Sequence, residues 1–362
     1  MVCHKILCTS WNVADTEQIF CGADEFSAFS LRALRELQQQ KPFVIESIEV
    51  LCKTDKAVGR GLKQSRSPPI KSVATELGLR THQIDSFRDW RSEPYNLVVA
   101  VSFGLLVPAR ILNNARYGGL NVHPSLLPDL RGAAPITHAL LKRRTSTGVS
   151  LQTMHPTKFD HGVVLSQTEE VPVLPNSTPD SLLKKLGPLG ADLLRKGVED
   201  AVFVPPLQDA RAGLPVPPQV KLAPKIIPSD RCIDWQGWTA DEILHRDRVL
   251  GDLWDAQTWA RCRATLLVAE YGKRITFHGP WATAKAGQLD DATAGEPLLV
   301  LGPFRSGLTL GVKTADGCIV APESVTIEGK KTGKGLQALV EDLRKREKGE
   351  ASRASRRRFE WR

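Results

Sequence analysis

The run Leu97-Val98-Val99-Ala100-Val101-Ser102 restricts the possible folds of this chain more than any other stretch. It is apolar without alternation until its last residue. A strand with one wet face alternates apolar and polar residues, so this one is read as buried on both faces. Strands of that kind belong to parallel sheets covered by helices. The surroundings agree. Phe43 to Lys53 reads as a strand, Glu17 to Cys21 as a shorter one, and Leu120 to Val122 as another. Helical patterns lie between them, at Ser27–Gln40, at Ile70–Leu77 and after Pro108. In the first, Phe29, Ala33, Leu34 and Leu37 recur at helical spacing. This alternation predicts an α/β domain with a Rossmann-like parallel sheet. Gly148–Met154 and Val163–Val173 are further strand candidates, and Thr178–Ala201 reads as a long helix.

With 362 residues the chain exceeds the usual single-domain size, which predicts two domains. Pro205 to Pro224 holds six prolines and no periodicity, as a linker or an extended crossover does. Beyond it, short strand-like runs recur at Arg263–Val268, Arg274–His278, Leu298–Leu301, Leu308–Val312 and Cys318–Val325. They predict a smaller β-barrel or sandwich. The expected division is an atypical segment 1–16, a catalytic domain 17–204, a Pro-rich linker 205–224, a β-barrel domain 225–345 and a basic tail 346–362.

An apolar share of 41% and a charged share of 25% are ordinary for a soluble globular chain. The longest apolar run, Leu97 to Val107, is about half of a membrane-spanning helix. Seven scattered cysteines without a CxxC pair read as reduced thiols. Cys3-His4 with Cys8, and His155 with His161, lack zinc spacing, so no metal is expected. Neither GxGxxG nor GxxxxGK[ST] occurs. From Gly329 to Arg362 there are twelve Lys and Arg against five Asp and Glu, which supplies most of the net charge of +9. Such a block is either a solvated end or an attraction for a polyanion such as RNA. Residues 1–15 carry one Lys, no Arg and an Asp, unlike an Arg-rich transit peptide.

Chemistry concentrates in Asn121-Val122-His123-Pro124-Ser125-Leu126-Leu127-Pro128. Residues two apart in an extended chain project to one side. Asn121 and His123 would therefore stand together, one able to donate to developing negative charge and the other to carry a proton. A lone histidine is also commonly structural, and spacing leaves both readings open. Asp160, in Phe159-Asp160-His161-Gly162, either serves turn chemistry or holds the His123 ring in one tautomer. Ser125 lacks a GxSxG elbow and reads as structural. Arg131-Gly132-Ala133-Ala134-Pro135 opens a helix, where Arg131 faces either an anion or solvent.

Taken together, these residues resemble the methionyl-tRNA formyltransferase family of eukaryotic, organellar type. Asn121 through Ile136 is similar to the family signature nearly residue for residue. Gly59-Arg60-Gly61 through Lys71 resembles its loop that enters the tRNA acceptor arm. Gly148–Met154 with Asp160-His161-Gly162 resembles its aspartate-bearing strand and turn. Ala223-Pro224-Lys225 with Ile233-Asp234-Trp235, and Gly329-Lys330-Lys331, resemble elements of its second domain. The chain departs from the pattern in a short first strand at Thr16–Phe20, in Val249–Trp254 and in the bulky His161.

The resemblance implies a formyltransferase domain followed by an OB-like barrel. It implies 10-formyltetrahydrofolate as donor, the α-amine of initiator methionyl-tRNA as acceptor, and no metal. Asn121, His123 and Asp160 would be catalytic. Phe103, Gly104, Leu105, Ser125, Leu126, Leu127, Pro128 and Gly162 would hold folate. Arg60, Lys63, Arg66, Arg131, Lys330 and Lys331 would meet tRNA. A monomer in the mitochondrial matrix, without membrane attachment, is expected. The alternatives are another 10-formyltetrahydrofolate-dependent amine formyltransferase and a catalytically weakened RNA-binding relative.

Overall fold

The computed structural model describes residues 16–59, 61, 63–88, 90, 95–215, 220–262, 273–285, 292–304 and 307–349. The chain divides into two compact units, Met1–Lys225 and Ile226–Arg362.

The first unit begins with β1 (Thr16–Gly22), α1 (Glu25–Gln40) and β2 (Ile45–Cys52), then a small hairpin of β3 (Lys56–Val58) and β4 (Gln64–Arg66). There follow α2 (Pro69–Glu76), β5 (Thr81–Gln83), β6 (Leu97–Val101), α3 (Ala109–Asn114), β7 (Gly119–His123) and α4 (Pro135–Leu141). After β8 (Ser146–Thr147) come β9 (Ser150–Thr153), β10 (Val164–Gln167), β11 (Val171–Pro172) and α5 (Pro179–Glu199). Seven of these strands form one sheet in the order β10-β9-β7-β6-β1-β2-β5.

All of β6 is buried, as its unbroken apolar run predicts. The short first strand lies at the centre of the sheet, paired in parallel with β2 on one side and β6 on the other. Its Ile19, Phe20 and Cys21 are almost wholly buried. Helix α1 starts where Asp24 accepts the Ser27 N–H at 3.1 Å, and it turns Leu31, Leu34 and Leu37 into the core. Thr178 and Ser181 close a capping box on α5, which buries Leu182, Leu186, Leu194 and Val198 along one face.

The expectation of a purely parallel sheet needs a correction at one side. β9 runs antiparallel to β7, and β10 antiparallel to β9. A parallel neighbour requires the chain to return across the sheet. The helix between β7 and β9 has seven residues. The whole connection is long enough to cross, but it brings the chain back to the end at which β7 finishes, where Ser150 pairs with His123. The described part of the Pro-rich segment is tied to this same region. Lys221 accepts the Leu130 N–H at 2.7 Å, the Ala223 N–H donates to Arg131 at 2.7 Å, and Ala223 is fully buried.

The second unit holds α6 (Ala240–Leu250), β12 (Leu253–Asp255), α7 (Gln257–Cys262), β13 (Ile275–Lys285), β14 (Pro297–Leu301), β15 (Leu308–Lys313), β16 (Cys318–Ile327) and α8 (Leu336–Gly349). Its five strands form an antiparallel sheet in the order β12-β13-β16-β15-β14. Among the described residues the two edge strands do not pair with each other, and the strand expected at Arg263–Val268 lies outside the described residues. The core gathers Trp235, Ile243, Leu253, Phe277, Val312, Val325 and Leu339. Buried Asp255 accepts from the Trp235 indole N–H, from the Thr258 N–H at 2.9 Å and from the Thr258 hydroxyl at 2.7 Å. A buried carboxylate needs that degree of satisfaction.

The central place of β1 makes it sensitive to truncation. Phe20→Ala should cost about 3–5 kcal/mol in urea unfolding, the range for a buried phenylalanine. Phe43→Ala, whose side chain is 64% exposed, should stay within about 0.5 kcal/mol of the parent.

Candidate active site

A cavity of about 350 Å³ opens at the carboxyl ends of β6 and β7, where open α/β sheets bind ligands. Its lining includes Ser102 through Val107 after β6, Asn121 through Pro124 at the end of β7, Gln152 through His155 at the end of β9, and Lys158, Phe159 and Asp160. Asn121, His123 and Asp160 therefore share one cavity. The first two stand on one side of the same strand, as their spacing predicts.

His123 is 5% exposed. Its Nε2 lies 3.0 Å from the Leu130 carbonyl oxygen. A carbonyl oxygen only accepts, so Nε2 carries a hydrogen, and in the neutral ring Nδ1 holds the lone pair. Nδ1 faces Asp160 Oδ1 at 3.4 Å. A proton arriving at Nδ1 would sit between the ring and that carboxylate. Leu130 adopts φ +57, a conformation costly for a leucine, and so turns its carbonyl toward the ring.

Asp160 also has a left-handed backbone, φ +55, which aspartate tolerates better than most residues. Its Oδ2 accepts the Gly132 N–H at 2.8 Å, and its Oδ1 accepts from Gln152 Nε2 at 3.2 Å. Gly132 has φ +129, and a Cβ there would stand 2.3 Å from the Ala223 carbonyl oxygen. Gly162 is equally constrained: a Cβ would meet the Thr153 carbonyl oxygen at 1.7 Å. The glycines beside Asp160 thus let the turn and the Arg131–Ala134 segment close on it. Asn121 Nδ2 donates to the Ala100 carbonyl at 2.9 Å, and Asn121 Oδ1 accepts from Gln152 Nε2 at 3.0 Å.

The remaining expected residues divide. Phe103, Gly104 and Leu105 line the cavity, whereas Ser125, Leu126, Leu127, Pro128 and Gly162 do not. Ser125 is buried and donates its hydroxyl to the Asp129 carbonyl at 2.6 Å. The Leu127 N–H donates to Ser150 Oγ at 3.0 Å. These are turn-holding contacts, in keeping with Ser125 as structural. Arg131 does not line the cavity; its backbone bridges to Leu222. Lys63 and Arg66 are exposed on the β3–β4 hairpin, and Arg60 lies outside the described residues. Lys330 and Lys331 are exposed in the turn after β16. Among the described residues no group of His, Cys, Asp or Glu is placed to hold a metal ion, and no helix is long and apolar enough to cross a membrane.

Two site residues escape a reading by motif. Gln152 is 1% exposed on β9, opposite Asn121. β9 reads Ser150-Leu151-Gln152-Thr153, so Gln152 is one of several polar residues there and the strand pattern does not single it out. Asp24, the cap of α1, also lines the cavity. Burial pushes its carboxyl above the ordinary aspartate value, although the Ser27 N–H and the Ser102 hydroxyl pull the other way. A carboxyl raised in the folded state binds its proton more tightly there than in the unfolded chain. Its contribution to stability is therefore present at acid pH and is lost as pH rises through the raised value. Asp24→Asn keeps a capping oxygen and removes that titration. The stability of the variant relative to the parent, from urea melts, should rise with pH above the ordinary aspartate range and level off once pH has passed the raised value. A difference flat with pH would contradict this.

Residues 19–196 match the family described as formyl transferase. The mitochondrial methionyl-tRNA formyltransferase of Saccharomyces cerevisiae is 33% identical over 302 residues, which cover 72% of this chain and 74% of that protein. The mitochondrial methionyl-tRNA formyltransferase of Mus musculus is 34% identical over 254 residues, covering 69% of this chain and 61% of that protein. A bacterial methionyl-tRNA formyltransferase, from Dictyoglomus turgidum, is 34% identical over 228 residues, covering 60% of this chain and 67% of that protein. The alignments thus span about three fifths to three quarters of these relatives' lengths. At this identity and extent, the chain belongs to the methionyl-tRNA formyltransferase family.

Proposed function

We propose that this chain transfers a formyl group from 10-formyltetrahydrofolate to the α-amine of initiator methionyl-tRNA, in mitochondrial translation initiation. The observation that carries the reading is the buried His123 imidazole, held between a carbonyl oxygen and the Asp160 carboxylate beside the Asn121 amide, in a chain of this family. The amine nitrogen attacks the formyl carbon and forms the new C–N bond. The formyl oxygen gains negative charge, and an Asn121 N–H donates to it. The attacking nitrogen sheds a proton to His123 Nδ1, where Asp160 stabilises the charged ring. His123 returns that proton to the folate nitrogen as its bond to the formyl carbon breaks. Atoms and charge balance without another reactant.

Folate would lie along Phe103, Gly104 and Leu105. Ser125, Leu126, Leu127, Pro128 and Gly162 would support the walls from behind. The catalytic part is placed at residues 17–204 and a tRNA-binding part, an OB-like barrel, at 225–345. Exposed Lys63, Arg66, Lys330 and Lys331 would neutralise tRNA phosphates, together with Arg60. Arg131, whose backbone is tied to Leu222, would meet the acceptor end of the tRNA. The chain would act as a monomer, in the mitochondrial matrix.

Purified protein should formylate charged initiator tRNA with 10-formyltetrahydrofolate; folate binding without any transfer would refute the proposal. His123→Ala should lower kcat by about 10²–10⁴-fold, the usual contribution of a general acid–base, and leave tRNA affinity within about twofold. Lys330→Ala with Lys331→Ala should weaken tRNA binding and flatten the slope of log K against log salt by about 0.7–0.9 for each phosphate no longer neutralised. An unchanged salt slope would remove that turn from the tRNA surface.

A further inference from the structure

We infer that Gln152 is a positioning residue of the transfer reaction: its amide sets which face of Asn121 the formyl oxygen meets and holds the Asp160 carboxylate against His123. The inference rests on the roles proposed above for Asn121 and Asp160.

Gln152 pairs with Asn121 across the antiparallel β7–β9 ladder, and residues so opposed share a face of the sheet. A glutamine amide nitrogen has two hydrogens. Here one goes to Asn121 Oδ1 at 3.0 Å and the other to Asp160 Oδ1 at 3.2 Å. Turning the amide over would set its oxygen against a carboxylate and a second amide oxygen, three acceptors together. Only one orientation is therefore allowed.

The consequence passes to Asn121. Its oxygen is occupied by Gln152, and its nitrogen donates one hydrogen to the Ala100 carbonyl at 2.9 Å. One N–H remains, on a side chain that lines the cavity. Without Gln152, only the Ala100 carbonyl would oppose a turn of the amide that sets its oxygen toward the formyl oxygen, where two acceptors repel. The same Gln152 nitrogen restrains the Asp160 oxygen that faces His123 Nδ1. One side chain thus couples the oxyanion donor to the proton carrier.

The unsatisfied end of Gln152 argues against a purely structural role. Its Oε1 is buried and has no hydrogen-bond partner among the described residues. A buried acceptor without a donor is destabilising, and an apolar side chain of similar shape would avoid that. A strand selected for packing alone gains nothing from a glutamine here.

The test uses the full chain and the formyl-transfer assay. Gln152→Met keeps length and volume but removes both donors. It should lower kcat by about 30–300-fold, reaching into the 10²–10³ range typical of removing an oxyanion donor, with both KM values within about threefold. The double variant Asn121→Ala/Gln152→Met should lose clearly less than the product of the two single losses, because the part of the Gln152 effect that passes through Asn121 is already gone. Gln152→Glu replaces the donors by acceptors. Its activity relative to the parent should recover as pH falls and the introduced carboxyl gains a proton to donate. Gln152→Met at more than a third of parent kcat, losses that multiply in the double variant, or a Gln152→Glu to parent ratio flat with pH would each overturn the inference. Full activity of Asn121→Ala would instead refute the site reading on which it stands. If Gln152→Met fails to fold, the nearly isosteric Gln152→Glu decides by its pH profile.

Discussion

The site depends on one reversal of chain direction. β9 enters the sheet antiparallel to β7, so Gln152 stands opposite Asn121 and the following turn returns Asp160 to His123. The connection that contains α4 returns the chain to the end of β7, where Ser150 pairs with His123.

Around that reversal the polar groups of the site are nearly all engaged. His123 has the Leu130 carbonyl on one nitrogen and Asp160 on the other, and Asp160 has Gly132 and Gln152. Such networks hold rotamers that burial alone would leave free. The backbone contributes as much as the side chains. Leu130 and Asp160 both occupy the left-handed region, and Gly132 approaches the Ala223 carbonyl too closely for any Cβ. The Lys221–Pro224 segment, bonded to Leu130, Arg131 and Ala134, supports these conformations from behind. Strain of this kind persists where its surroundings over-determine it.

The second unit follows another logic. Its core closes over a buried carboxylate, Asp255, satisfied by Trp235 and Thr258. Lys330 and Lys331 are exposed in a turn fixed to the sheet where the Gly333 N–H meets Thr326 Oγ1 at 2.8 Å. Under the proposed function, such a fixed base would let long cationic side chains meet phosphates without ordering a loop.

Local signals sufficed for much of this. The unbroken apolar run marked β6 as buried on both faces, and helical patterns marked α1 and the long α5. The spacing of Asn121 and His123 placed them side by side, because a strand's period of two is a local property. For Asp160 the residues left turn chemistry and contact with His123 both open, since the contact depends on a chain return. What lay beyond the sequence was whatever needs two distant segments at once. The central position of β1, the reversed β9, the attachment of the Pro-rich segment and the Gln152 bridge are of that kind. Each is a hydrogen bond or a register between residues far apart in the chain, and tertiary packing alone selects the partner.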